Sequence, residues 1–204
     1  MNKNYAKRRG GKIYLFKEFL KGIPNTEAGE FTAADSMPLF FGLGPLPFKI
    51  GKFCPVAPNV CFVVSNMHNM HNISMCAFDQ FPYEFPEAHL LGPYVYSKQK
   101  NAGITIGNDV WIGYGATIIS GAEIGDGSVI GANSTIAGNI PPYSIVAGNP
   151  PTEIRKRFSE DEINKLLELT WWDWSIKEIN KYLPVICSEN IDKLYEIWNQ
   201  EIRK

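Results

Sequence analysis

His68, His71 and His89 are the only histidines in the chain, and histidine is the side chain whose ordinary pKa lets it exchange a proton near neutral pH. Held beside a hydroxyl, an imidazole can take the proton as the oxygen attacks and return it to a leaving group, which contributes about 10²–10⁴-fold in rate. Imidazoles can also bind zinc, but a site needs about three converging on one ion, and His68 and His71 stand only three residues apart. A thiol nucleophile is available at Cys76, with nothing near it in sequence to mark it as activated. Together with Cys54, Cys61 and Cys187 it forms no CxxC pair, so the cysteines read as small buried hydrophobes in a reducing compartment.

The elements that must position these groups come from a chain of 204 residues, 45% hydrophobic and 13% aromatic, enough for one compact domain with a sizeable core. A net charge of −1 gives no bulk attraction to nucleic acid or to anionic membranes. The start, Asn2 to Arg9, is basic, but the apolar stretch after it is broken by Lys17, Glu18 and Lys21, too early for a signal-peptide core. No apolar run approaches the roughly 20 residues that span a bilayer. A cytoplasmic protein without membrane insertion is expected.

Ile106, Ile112, Ile118, Ile124, Ile130 and Ile136 recur every six residues without a slip. Gly107, Gly113, Gly125 and Gly131 follow four of them, and Val110, Ala116, Ala122, Ser128 and Ser134 stand two residues before the next. A period of six fits neither an α-helix nor an ordinary strand. It fits a triangular coil with one hexapeptide per face and about 18 residues per turn, the parallel β-helix. Each isoleucine then points inward, a small residue sits where faces meet, and Gly or Asn supplies the positive φ that corners need. Ile50, Val56 and Phe62 share this phase. The 44 residues from Phe62 to Ile106 are not a multiple of six, so a loop must leave the prism and return; the aromatic, unperiodic stretch at about 79–103 is expected to be that excursion.

Pro141, Pro142 and the Gly148-Asn149-Pro150-Pro151 run are expected to break the coil. Two capping boxes follow, Ser159 with Glu162 and Ser175 with Glu178. The spacing of Ile163, Leu166, Leu167, Thr170, Trp171 and Trp174 predicts one helix, and Ile179, Tyr182 and Leu183 a second that stops at Pro184. Ile191, Leu194, Tyr195 and Trp198 predict a third. These helices are expected to cover the open end of the prism, with the tryptophans serving packing. The chain thus divides into an N-terminal segment with a short helix built on Ile13, Phe16, Phe19 and Leu20 (1–30), a mainly β coil (31–150) and a helical cap (151–204).

Ile106-Gly107-Asn108-Asp109-Val110-Trp111-Ile112-Gly113, Ile124-Gly125-Asp126-Gly127, Ala147-Gly148-Asn149-Pro150-Pro151 and Trp171-Trp172-Asp173-Trp174 together resemble the hexapeptide xenobiotic acetyltransferases, which include streptogramin A and type B chloramphenicol acetyltransferases. Ile50-Gly51-Lys52-Phe53-Cys54 resembles the family's first clear coil, and the likeness runs from about residue 27 to 200. It implies a left-handed parallel β-helix, a homotrimer with active sites between subunits, acetyl-CoA as co-substrate, and a small-molecule hydroxyl as acceptor.

The same resemblance places the catalytic histidine nine or ten residues before a phenylalanine, which selects His68 ahead of Phe78. His71, where the family often has aspartate, can orient His68, contact the acceptor or be the base itself; His89 reads as a surface or acceptor-contact residue. Asn69 and Ala77 also depart from the family pattern. Carried over residue by residue, Trp111 and Tyr114 lie beside the pantetheine arm, Ala132, Ala137 and Gly138 form the groove wall, and Asn149 and Pro150 belong to the cofactor site. The family often has lysine where Gly138 stands, and Arg155, followed by Lys156 and Arg157, is the candidate for the CoA phosphates. The alternatives are a sugar or polysaccharide O-acetyltransferase on the same fold, a zinc protein of the γ-carbonic anhydrase kind, and a non-catalytic scaffold.

Overall fold

The computed structural model describes residues 13–65, 72–90 and 103–203. The chain winds through three parallel sheets in fixed rotation, as the six-residue period requires. The first face stacks Ala33–Ala34, Pro55–Val56, Trp111–Ile112, Val129–Ile130 and Ser144–Ala147; the second Leu39–Phe41, Cys61–Val63, Thr117–Ile119 and Thr135–Ile136; the third Thr26–Ala28, Phe48–Ile50, Ile104–Ile106, Glu123–Ile124 and Asn139–Ile140. Registers place Ile106 on Ile124, Ile112 on Ile130 and Ile118 on Ile136, one 18-residue turn apart in each case. All six isoleucines are at most 3% exposed, and Val110, Ala116, Ala122, Ser128 and Ser134 at most 1%, so both periodic sets point into the prism. Ile50, Val56 and Phe62 continue the columns.

The glycines after the isoleucines are needed for close approach and not for a left-handed backbone. A Cβ at Gly113 would lie 2.7 Å from the Ile130 carbonyl oxygen, and one at Gly107 2.5 Å from the Asp126 carboxylate, both in the next turn. Positive φ appears elsewhere, at three corners. One corner follows the Gly-or-Asn expectation, with Asn59, Gly115 and Asn133 at φ 61°, 68° and 55°. Another departs from it: Phe31, Phe53, Asp109, Gly127 and Tyr143, in register on five turns, have φ between 54° and 68°. Bulky residues are disfavoured there by about 1–2 kcal/mol each. Ring packing offsets that cost at Phe53 and Tyr143, where Trp171 and Phe158 cover the corner.

Three irregularities correct the boundaries expected from the sequence. The coil starts at Thr26, within the segment assigned to the N-terminal piece, and its first turn carries four extra residues, since Ala28 pairs with Ile50, 22 residues on. Ile50 pairs with Ile106, 56 residues on, so 38 residues lie outside an 18-residue turn. Val64, buried with its N–H on the Phe41 carbonyl, and Gly103, whose carbonyl accepts from Gly121, still stack on the coil, which makes the excursion 65–102 and not 79–103. At the other end, Ser144–Ala147 still stacks on Val129–Ile130 after a 16-residue turn, so the coil passes Pro141-Pro142 and ends at Ala147. Thr152–Lys156 then folds back antiparallel on that last strand.

At the N-terminal end, α1 (Phe16–Phe19) closes the first turn. Phe16 is buried and sits edge-on to Phe40 and Phe62, with ring centroids 6.1 Å apart in both pairs. At the C-terminal end come α2 (Glu160–Leu169), α3 (Ile176–Ile186) and α4 (Ile191–Ile197). Both expected capping boxes are formed, at Ser159 with Glu162 and Ser175 with Glu178. Helix α3 does not stop at Pro184 but runs through it to Ile186, its last turn closed by the Cys187 N–H on the Leu183 carbonyl at 2.9 Å. Trp172 and Trp174 are buried, and the Trp174 indole N–H donates to the Leu169 carbonyl, a packing role as expected.

The contacts of this helical piece run along the Phe53–Tyr143 corner and not across the open end. Trp171 packs on Phe53 (4.9 Å between centroids), which itself stacks on Phe31 (5.0 Å). Lys52 pairs with Asp173 at 2.8 Å. Arg157 donates to the Gly127 carbonyl at 2.6 Å and to the Asp109 carboxylate at 3.3 Å, and lies over the Tyr143 and Phe158 rings. Burial pushes the Asp109 carboxyl above its ordinary value, and Arg157 only partly opposes this. Of the cysteines, Cys54 alone is buried, its thiol pushed up to about 12 by that burial, whereas Cys76 and Cys187 are exposed, against the reading of all four as core hydrophobes. No described helix is long and apolar enough to cross a membrane.

Ile130→Ala is expected to cost about 2–5 kcal/mol and Ile130→Val less than about 1.5, read from urea midpoints at unchanged slope. A loss no larger than that of exposed Ile154→Ala would contradict the inward column. Asp109 holds its proton to higher pH when folded than when unfolded, so folding stability falls as pH rises through that window. Asp109→Asn, which still tolerates the corner backbone, removes this dependence. Its deficit relative to the parent should therefore narrow between pH ~4 and ~7; a widening deficit would mean that the Arg157 pairing outweighs burial.

Candidate active site

On the first face, Trp111 stands outward on an isoleucine-inward strand and is 53% exposed. Its column runs from Pro55 through Trp111, Val129 and Ile145 to Arg155, and these residues line one groove. Arg155 reaches this face because Thr152–Lys156 folds back beside Ser144–Ala147. Its guanidinium donates to the Lys156 carbonyl at 2.8 Å and to the Arg157 carbonyl at 3.5 Å, and the residue remains exposed. The rest of the basic run is engaged structurally. Lys156 donates to the Ser144 hydroxyl at 2.7 Å and pairs with Glu153, while Arg157 holds the helix corner. Glu153 accepts from Ser144 and from Lys156, contacts that hold its carboxyl below the usual range.

Where the first face turns into the second, Tyr114 and Ala132 are exposed on successive turns, with the Asn133 N–H on the Tyr114 carbonyl at 2.8 Å. Asn149 and Pro150 are exposed just past the last strand at this corner. The Tyr114 hydroxyl accepts from Asn59 Nδ2 at 2.6 Å, a contact that sequence reasoning missed because 55 residues separate the two. Ala137 and Gly138 belong to the next corner, between the second and third faces. The two ends of the excursion are anchored there too, with the Ser120 N–H on the Val63 carbonyl at 2.8 Å and the Gly121 N–H on the Gly103 carbonyl at 2.6 Å.

The cofactor candidates are thus divided over one face and two corners, and a single chain does not bring Trp111 and Arg155 to Ala137 and Gly138. His68 and His71 lie outside the described residues, within the excursion. His89 is exposed, with Nδ1 hydrogen-bonded to the Pro86 carbonyl, in a segment where Phe78 and Phe85 pack edge to face at 4.8 Å. Solvent-facing apolar side chains crowd the same segment, including Ile73, Phe81, Tyr83 and Leu90.

Comparison with known proteins bears on this arrangement. The family model for bacterial transferase hexapeptide (six repeats) matches residues 103–138, the uninterrupted part of the coil. A chloramphenicol acetyltransferase of Escherichia coli is 39% identical over 150 residues, covering 73% of this chain and 70% of that protein. A probable macrolide acetyltransferase of Lysinibacillus sphaericus is 42% identical over 141 residues, 69% of this chain and 77% of the relative. A virginiamycin A acetyltransferase of Staphylococcus aureus is 48% identical over 59 residues, 29% of this chain and 27% of the relative. With the inward isoleucine columns, the exposed Trp111 and the folded-back Arg155 strand in place, this extent of identity means that the chain belongs to the hexapeptide-repeat xenobiotic acetyltransferases.

Proposed function

We propose that this acetyltransferase moves an acetyl group from acetyl-CoA to a hydroxyl of a small xenobiotic, directly, in a ternary complex. His68, as general base, takes the proton of the acceptor hydroxyl while its oxygen attacks the thioester carbonyl carbon. Backbone N–H groups beside the coil stabilise the oxyanion. The C–S bond then breaks, and the imidazolium returns the proton to the departing thiolate. His71 orients His68 or meets the acceptor. Trp111 and Tyr114 flank the pantetheine arm, Ala132, Ala137 and Gly138 wall its groove together with Asn149 and Pro150, and Arg155 binds phosphate through its exposed guanidinium.

The observation that carries this reading is the different chemistry of the three outward faces. The third face shows Glu27, Lys49, Thr105, Glu123 and Asn139 in register, all exposed and suited to water. The first shows Pro55, Trp111, Val129 and Ile145, and the second Leu39, Phe41, Cys61, Val63 and Ile119, interrupted by Thr117 and Thr135. Two apolar faces meeting at one corner suit a left-handed prism packed between two copies of itself in a homotrimer. In that arrangement the first face of one copy, with Trp111 and Arg155, approaches the Ala137–Gly138 corner and the excursion of the next. The relatives' names point to antibiotic acceptors. The departures at Asn69, His71 and Ala77 favour a sugar hydroxyl as the second reading.

CoA release measured across chloramphenicol, a streptogramin A, a macrolide and a panel of free and nucleotide-linked sugars separates the two readings, because turnover of sugars alone would overturn the xenobiotic one. His68→Ala should lower kcat by about 10²–10⁴-fold with little change in KM for acetyl-CoA, and His71→Ala by less. The reverse order would make His71 the base. Light scattering should give a mass three times that of one chain, and a monomer that turns over acetyl-CoA would sink the shared site.

A further inference from the structure

Asn59 occupies the corner between the first and second faces, in register with Gly115 one turn on and Asn133 a turn beyond. All three take the left-handed backbone, at φ 61°, 68° and 55°. Gly115 shows that glycine alone makes this corner, so the turn does not account for a side chain at 59. Asn133 uses its side chain against the coil, where its Oδ1 lies 2.4 Å from the position a Cβ on Gly115 would take. Asn59 is exposed and directs its amide elsewhere, donating from Nδ2 to the Tyr114 hydroxyl at 2.6 Å. Among the described residues that is the one hydrogen bond found for either side chain.

The direction of the bond matters. A phenol oxygen that accepts from an amide keeps its own O–H free, and that donation strengthens it as a donor. Tyr114 is half exposed, with its backbone fixed from both sides by the Gly115 N–H on the Pro58 carbonyl at 3.1 Å and the Asn133 N–H on its own carbonyl. The remaining freedom is the swing of the side chain about its Cα–Cβ bond, which the Asn59 bond restrains by holding the phenol oxygen. We infer that Asn59 is a positioning residue for acetyl-CoA: it holds Tyr114 with its hydroxyl proton free to donate to an amide carbonyl of the pantetheine arm. This rests on the proposal that Tyr114 lies beside that arm.

The test measures CoA binding by calorimetry, which needs no acceptor, alongside KM and kcat for acetyl-CoA with whichever acceptor is turned over. The proteins are the full-length parent, Tyr114→Phe, Asn59→Gly, Asn59→Asp and the double variant Asn59→Gly/Tyr114→Phe. Asn59→Gly keeps the backbone that Gly115 already adopts, and its urea midpoint checks the fold. Loss of one hydrogen bond should raise Kd for CoA and KM by about two- to tenfold in Tyr114→Phe and in Asn59→Gly, with kcat within about twofold. The double variant should be no worse than the weaker-binding single one. Asn59→Asp should resemble Tyr114→Phe, because a carboxylate only accepts and captures the phenol proton. Asn59→Gly binding CoA like the parent, or adding fully to Tyr114→Phe, overturns the inference. If Tyr114→Phe also binds like the parent, the inference falls while acetyl transfer stands. If the parent binds no CoA, both fall.

Discussion

Parallel stacking of one turn directly on the next is the constraint from which everything else in this molecule follows. Strands hydrogen-bonded to the same face of the turn above and below lie about 4.7–4.9 Å apart, so a side chain must fit beneath its own counterpart. Ile106 on Ile124 and Ile140, and Ile112 on Ile130 and Val146, satisfy this with β-branched residues that lock into one column. The glycine after the isoleucine follows from the same spacing, because a Cβ at Gly125 would lie 2.6 Å from the backbone nitrogen of Pro142 in the next turn. Burying a column of isoleucines and allowing the turns to approach are one requirement seen at two adjacent positions.

Corners are where the constraint relaxes and where variety enters. A corner residue needs a left-handed backbone but has no partner inside the prism, so its side chain is free to act outward. At one corner it anchors the helical piece, through the aromatic rings of Phe31, Phe53 and Tyr143 and the Asp109 carboxylate held by Arg157. At another it holds Tyr114 through Asn59. The same backbone strain thus serves packing at the first and side-chain orientation at the second. This explains why Arg157, beside the exposed Arg155, is not a free charge: its guanidinium closes the gap between turn and helix.

How much the sequence told depended on whether a signal was local. The period of six, the small residues before each isoleucine and both capping boxes are local, and each stands in the structure where its spacing put it. The excursion was misjudged at its start because 65–78 has no period either, and only the pairing of Val63 with Ile119 and the Val64 N–H on the Phe41 carbonyl reveal where the coil stops. Pro184 and Pro141-Pro142 were read as breaks, yet a proline near a helix end loses one bond and a corner proline loses none. The helices were assigned to the open end because no local pattern shows that Phe53, Asp109 and Tyr143 form a single column. Asn59 and Tyr114 met for the same reason, brought together by a turn with an excursion in it.

The division of site residues over two corners and a face follows from the fold itself. A three-sided coil is flat on each face and turns outward at each corner, so its regular part forms no deep cleft. Reaction chemistry that must exclude water therefore needs either an inserted loop or a second surface brought against a face. Both signs are present. The excursion leaves from the Ser120–Gly121 corner, and the two faces flanking Tyr114 carry Trp111, Val129, Ile145, Leu39 and Phe41 outward where the third carries Glu27, Lys49 and Glu123. In the proposed homotrimer the surface that excludes water from the acetyl donor is another copy of the same coil.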